Sequence, residues 1–78
     1  MDKRLKRKIV EFVLGKTSEI EIHGPPKTLA VIHEATMSSR ELVLALESGE
    51  TERVKEALHR KKEAVRIFEQ YTSQKWSI

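Results

Sequence analysis

Glycine and proline occur at only three places in this 78-residue chain, and these breaks limit every regular element to a short segment. The breaks are Gly15, the run from Gly24 to Pro26, and Gly49. Glycine and proline interrupt helices and strands more strongly than other residues do. We therefore expect four elements within a single domain, residues 1–78, because a chain of this length holds one domain at most.

The first two segments predict a β-hairpin over residues 8–23, preceded by a basic arm at residues 1–7. Residues 8–14 are rich in β-branched and aromatic side chains, which suit a pleated sheet. Residues 19–23 alternate apolar and polar side chains, as expected of a strand with one buried face. A lone strand leaves its backbone groups unpaired, so we expect the short loop at Gly15 to join the two strands in a hairpin.

The last two segments predict long helices over residues 26–48 and 51–72, followed by a tail at residues 73–78. Pro26 fits the first helical turn, where its missing N–H has no intrahelical partner to lose. Apolar side chains recur at helical spacing along both segments. The tail is expected to fray unless Trp76 docks on the domain.

Two parts of this assignment have an alternative. Residues 8–14 also fit a helix, because four apolar side chains recur on one helical face. These are Leu5, Ile9, Phe12 and Val13. The first long helix also admits a break at Ser38-Ser39, since serine favours helix caps over interiors, and residues 41–47 would then form a strand. The fold class that the sequence predicts is α+β, a β-hairpin followed by two helices (ββαα).

Charge is unevenly distributed along the chain, although the net charge is only +3. Residues 1–16 carry six basic and two acidic groups, residues 17–50 carry two and six, and residues 51–78 carry seven and four. The chain is therefore basic at both ends and acidic in the middle, which suits separate partners for separate faces. Eleven Glu and nine Lys, together with the lack of Asn, are typical of thermophilic proteins.

The residues that carry enzymatic or metal chemistry are poorly represented. There is no cysteine, and the three histidines, His23, His33 and His59, are not at metal-ligand spacing. Gly15-Lys16-Thr17 lacks the earlier glycine of a phosphate-binding loop, because Val10 stands at that position. We therefore expect no enzyme activity, no cofactor, no metal site and no small-molecule substrate. No apolar run reaches the length of a membrane span, so we expect a cytoplasmic protein without membrane contact.

Two groups of basic side chains are candidates for nucleic-acid binding. One lies at the N terminus. The other recurs every three or four residues along one side of the last helix, where it would match phosphates spaced along a nucleic-acid backbone. The candidates are Lys3, Arg4, Lys6, Arg7, Lys55, Lys62 and Arg66. For the last helix, the alternative is a solvated face balanced by Glu52, Glu56 and Glu63.

The apolar pattern from Lys8 to Ser48 resembles the small non-catalytic subunits of the archaeal KEOPS complex, namely the dimerising subunit and its related fifth subunit. The resemblance is carried by Ile9-Val10-Glu11-Phe12-Val13, Glu19-Ile20-Glu21-Ile22, Leu29 to Ile32, and Arg40 to Leu46. It implies a β-hairpin followed by a long helix, and a role in threonylcarbamoyladenosine modification of tRNA. Other subunits of that complex carry the catalysis, so the resemblance implies an accessory subunit that pairs with a small partner.

A sheet of two strands with an exposed edge, followed by a helix that is apolar on two sides, favours binding to a partner chain. We expect a heterodimer with a small protein subunit inside a larger complex, with tRNA as a further candidate partner. The candidate interface residues are Ile20, Ile22, Leu29, Ile32, Val43 and Leu46. Two other functions remain open: a homodimeric nucleic-acid-binding regulator that uses the basic helix face, and a structural helical-hairpin adaptor.

Overall fold

In the computed structural model, which describes all 78 residues, the chain folds into three α-helices. α1 spans Lys3–Val13, α2 spans Pro26–Ser48 and α3 spans Thr51–Thr72. No residue lies in a β-strand. The fold is therefore all-α, and the predicted α+β fold with a β-hairpin over residues 8–23 is wrong.

The first segment is helical because a helix places its apolar face against the core, with Leu5 partly buried at one end. The buried side chains of α1 are Ile9, Phe12 and Val13. At the start of this helix the Asp2 carboxylate accepts a hydrogen bond from the Arg4 backbone N–H at 2.9 Å, which is the geometry of an N-cap. A two-stranded sheet is marginal in water. Burial of the helical face therefore outweighs the strand preference of the β-branched side chains in this segment.

Between α1 and α2, residues 19–23 are extended but unpaired. Ile20 and Ile22 pack against the core, whereas the polar residues beside and between them are exposed. The alternation that predicted a strand at residues 19–23 is therefore reproduced in the burial of the side chains. No ladder forms, because the segment expected to supply the partner strand is α1.

α2 is unbroken over its 23 residues, so the alternative strand at residues 41–47 is not formed. Ser38 and Ser39 are buried in the middle of the helix. Each serine hydroxyl donates a hydrogen bond to the backbone carbonyl four residues earlier, at 2.6 and 2.8 Å. Both side chains satisfy their hydrogen-bonding groups inside the helix, and α2 continues to Gly49, whose φ of 73° ends it in the left-handed conformation.

α2 packs against both α1 and α3. The buried residues of α2 and α3 include several small side chains, namely Ala35, Ser39, Ala45, Ala57 and Ala64. The distance between two packed helices depends on the size of the side chains at their contact. Small residues therefore allow the α2–α3 hairpin to pack closely.

The core lies around Phe68, which is 2% exposed. It also contains the buried side chains Ile9, Val13, Ile32 and Ala35. The tail at residues 73–78 docks on this core, because the Trp76 ring packs edge-on against Phe68 with ring centroids 5.0 Å apart. Lys61 lies in the apolar stripe of α3 and donates a hydrogen bond to the backbone oxygen of Ile78 at 3.0 Å.

Candidate nucleic-acid interface

Five basic side chains cover the solvent side of α1. We call these residues the α1 basic surface: Lys3, Arg4, Lys6, Arg7 and Lys8, all of them exposed. They cannot turn inward, because the opposite side of the helix is fixed by the buried residues Ile9, Phe12 and Val13. α1 is about 16 Å long at 1.5 Å per residue, so its cations are concentrated in a small area.

Most cations of the α1 basic surface have no carboxylate partner. Arg7 lies 3.6 Å from Glu11, and this ion pair is the only one on α1. The Asp2 carboxylate instead accepts from the Arg4 backbone N–H. Lys3, Lys6 and Lys8 form no ion pair, and neither does the guanidinium of Arg4. Positive charge at a helix N-terminus adds to the field of the helix dipole, so this end of the molecule attracts anions.

Two of the three basic candidates on α3 are neutralised by neighbours on the same helix. Lys55 lies 3.6 Å from Glu52. Arg66 donates hydrogen bonds to both carboxylate oxygens of Glu63 and to Gln70 Oε1. The hydrogen bond from Arg66 lowers the pKa of Glu63 and, in turn, raises the pKa of Arg66. The arrangement favours a solvated, charge-balanced face for α3 over a phosphate-binding ridge.

Lys62 is the one predicted α3 candidate without an ion pair. It lines an open groove of about 410 Å³ between α3 and the C-terminal tail. The walls of this groove are mostly apolar, and they include Leu58, Val65 and Trp76. A single free lysine beside an apolar groove does not continue the charge of the α1 basic surface, so Lys62 alone makes no extended anion site.

Two further arginines of α3 are held by carboxylates on α2. Arg53 contacts Glu41 at 3.1 Å, and Arg60 contacts Glu34 at 3.0 Å. Both pairs are about half exposed, so each adds little to stability. With these pairs formed, two lysines of α3 remain without an ion pair, against four cations of α1.

The six predicted interface residues do not form one surface. Ile20, Ile22 and Leu29 come together with Pro26, Ala30 and His33 around an open groove of about 350 Å³, which we call the α2 groove. By contrast, Ile32 is buried, Val43 packs against the core, and Leu46 is 59% exposed near the C-terminal end of α2. Leu29 and Leu46 are separated by about 25 Å along the helix. Only half of the predicted set therefore shares one site.

One contact between α1 and α2, which the sequence pattern does not indicate, orients α1. The Arg40 guanidinium of α2 lies over the Phe12 ring, 4.5 Å from its centroid, and donates a hydrogen bond to the Phe12 carbonyl at 3.4 Å. The cation–π contact and the hydrogen bond both tie the end of α1 to α2. No local spacing signals this pair, because the two residues are 28 positions apart.

No group of three histidine, aspartate or glutamate side chains is placed to hold a metal ion. None of the three helices has the length and hydrophobicity that a membrane crossing requires. No protein family, no curated protein and no solved structure matches this chain.

Proposed function

We propose that this chain is a non-catalytic nucleic-acid-binding module, and that the α1 basic surface contacts backbone phosphates. The observation that carries the proposal is the contrast between two helices. The cations of α3 are mostly paired with carboxylates, whereas four of the five cations on α1 are not. Unpaired cations bind phosphates without first breaking an internal ion pair.

A double helix fits the α1 basic surface better than an unpaired strand does. Duplex DNA carries one phosphate charge per about 1.7 Å of its axis, so a helix about 16 Å long meets several phosphates at once. Proteins that bind single strands stack bases on exposed aromatic rings. The only aromatic residue of α1, Phe12, is buried. Contacts to phosphates alone carry no sequence information, so we expect binding without sequence preference.

Salt-dependent binding tests this proposal. The affinity of the chain for a fluorescently labelled duplex DNA is measured by anisotropy over a series of salt concentrations. If four phosphates are neutralised, a plot of log K against log salt has a slope of about −3.6. A variant with Lys3, Arg4, Lys6 and Lys8 all replaced by glutamine loses this slope and most of the affinity.

The matched control replaces Lys55, Lys62 and Arg66 of α3 by glutamine. Two of these three cations are already paired with glutamates, so this variant should keep most of the slope. Circular dichroism establishes that both variants retain their helices. Equal loss of affinity in the two variants contradicts the proposal, and so does a wild-type slope near zero.

Pairing with a small partner subunit is a second candidate function, and the α2 groove favours it. Ile20, Ile22 and Leu29 present apolar surface there with nothing covering it. The resemblance to KEOPS subunits depended on a hairpin that the chain does not form, so membership of that tRNA-modification complex stays a prediction. Purification of the tagged chain from its native host tests it. Recovery of tRNA-modification subunits in equal amount, lost in Ile22→Asp, is the expected result, and their absence contradicts it.

A further inference from the structure

The extended segment before α2 has an unpaired backbone, and this feature has no role in the binding of phosphates by α1. Eight backbone hydrogen bonds lie outside the regular helical ladders, and all eight are at helix ends. None involves residues 19–23, and no side chain bonds to the backbone of residues 20–23. Four successive peptide groups therefore have no partner within the chain.

The side chains of this segment are already arranged as in the edge strand of a sheet. Ile20 and Ile22 pack against the core, whereas Glu19, Glu21 and His23 are exposed. A row of free N–H and C=O groups with fixed side-chain alternation is a template for another strand. Proteins that bind peptides by strand addition draw affinity from such main-chain bonds and specificity from the alternating side chains.

We propose that residues 19–23 bind an extended, basic peptide segment of a partner protein as an added β-strand. This inference deepens the second candidate function, since it names the chemistry of the partner, and Lys8 is the one residue of the α1 basic surface that lines the cleft beside this segment. The apolar residues of the peptide would lie against Ile20, Ile22 and the α2 groove. Its basic residues would lie opposite Glu19 and Glu21.

The negative charge beside residues 19–23 favours a basic partner. The open cleft on the α1 side of the segment, about 290 Å³ in volume, is lined by the carboxylates of Glu11, Glu19 and Glu21 and by a single cation, Lys8. Glu11 is already paired with Arg7, but Glu19 and Glu21 form no ion pair. Opposite charges on facing strands stabilise their pairing. A peptide with lysine or arginine at alternate positions would supply the missing charges.

A second copy of this chain fits the segment poorly. Full overlap of two such segments, parallel or antiparallel, sets Glu21 opposite the same residue of the other copy. Like charges that face each other across two strands are destabilising. A shift by one residue would relieve this repulsion but would place glutamates against the apolar face. In these registers a second copy is disfavoured, and a partner with basic residues opposite Glu19 and Glu21 is favoured instead.

Peptide binding tests the inference directly on the full chain. The probe is a fluorescent peptide of alternating lysine and valine, and it is compared with a peptide of alternating glutamate and valine. We expect the lysine peptide to bind at least about tenfold more tightly, which is about 1.4 kcal/mol. The double variant Glu19→Lys with Glu21→Lys, both at exposed positions, should reverse the preference.

Two further measurements separate strand addition from simple charge attraction. Binding of the lysine peptide should slow hydrogen exchange of backbone amides within residues 20–23. A lysine peptide with N-methylated backbone amides should lose most of its affinity. Unchanged affinity on N-methylation overturns the strand geometry, and so does unchanged exchange. A lysine peptide that does not bind at millimolar concentration overturns the whole inference, whereas DNA binding by the same sample would be unaffected.

Discussion

The indole N–H of Trp76 donates a hydrogen bond to the hydroxyl of Ser39, with Nε1 3.2 Å from Oγ. The same hydroxyl donates to the Ala35 carbonyl at 2.8 Å, so Ser39 both accepts and donates in the middle of α2. The Trp76 ring also packs edge-on against Phe68 of α3. The tail thereby contacts both long helices, and it stabilises the packing of α2 against α3.

Substitution of Trp76 should measure what the tail contributes to stability. Trp76→Phe keeps an aromatic ring beside Phe68 but removes the indole donor, and we expect a loss of about 1 kcal/mol in the free energy of unfolding. Trp76→Ala also removes the ring contact and should cost about 2–3 kcal/mol, less than for a fully buried tryptophan. Urea denaturation followed by circular dichroism measures both. Lys75→Ala, at an exposed neighbouring position, is the control and should be neutral, whereas a neutral Trp76→Ala would show that the tail is not docked.

A larger side chain at Ala64 should separate α2 from α3. Ala64 is 4% exposed within the core of the hairpin, and leucine there would have to displace its neighbours. Overpacking of a core site typically costs 1–3 kcal/mol, and we expect a loss of about 2 kcal/mol for Ala64→Leu. The midpoint of urea unfolding measures this loss. Glu56→Leu adds the same side chain at an exposed position of α3 and should change stability by less than about 0.5 kcal/mol.

The first 23 residues are the part of the chain in which the structure departs most from the local sequence pattern. The β-branched and aromatic side chains of residues 8–14 favour a strand. Ile9 and Phe12 also lie on one helical face, and the packing of this face against the core stabilises the helix instead. Whether this face meets a core depends on α2 and Phe68, which lie far along the chain, and no local pattern contains that information. By contrast, residues 19–23 follow their alternating pattern, because Ile20 and Ile22 need only one packed side.

The long helices were easier to predict, because the residues that begin and end them act locally. Pro26 and Gly49 mark the two ends of α2, and each acts through its own backbone rather than through distant contacts. The candidate binding residues also differ in whether local sequence or side-chain geometry determines their environment. Exposure of the α1 cations follows from helix periodicity once α1 is helical, whereas the pairing of Arg66 with Glu63 depends on the rotamers of two side chains. The sequence of α3 is compatible both with a phosphate-binding basic ridge and with a charge-balanced solvated face. The ion pairs in the structure favour the charge-balanced face.

The turn between α2 and α3 should be sensitive to any side chain at Gly49. Its φ of 73° lies in the left-handed region, where a Cβ adds strain although no other atom stands in its way. We expect Gly49→Ala to lower the free energy of unfolding by about 1 kcal/mol. Gly24→Ala is the matched control, because Gly24 does not have such a φ and a Cβ there would make an ordinary contact of 3.8 Å with Leu29. Thermal unfolding of the two variants should show a lower midpoint for Gly49→Ala only.

Removal of the Arg66 guanidinium should raise the pKa of Glu63. The hydrogen bond from Arg66 is the main cause of the lowered pKa, and the charges of Arg66 and His59 add to it. A carboxyl group whose pKa is lower in the folded state stabilises the fold above its unfolded pKa, and this contribution is lost as the pH falls through the folded value. Both side chains are exposed, so the effect on overall stability is small. NMR titration of the glutamate carboxyl carbons should show the Glu63 pKa rising in Arg66→Gln but not in Lys62→Gln. An unchanged Glu63 pKa in Arg66→Gln would mean that the pair does not persist in solution, and Arg66 would then be unpaired, like the four unpaired cations of α1.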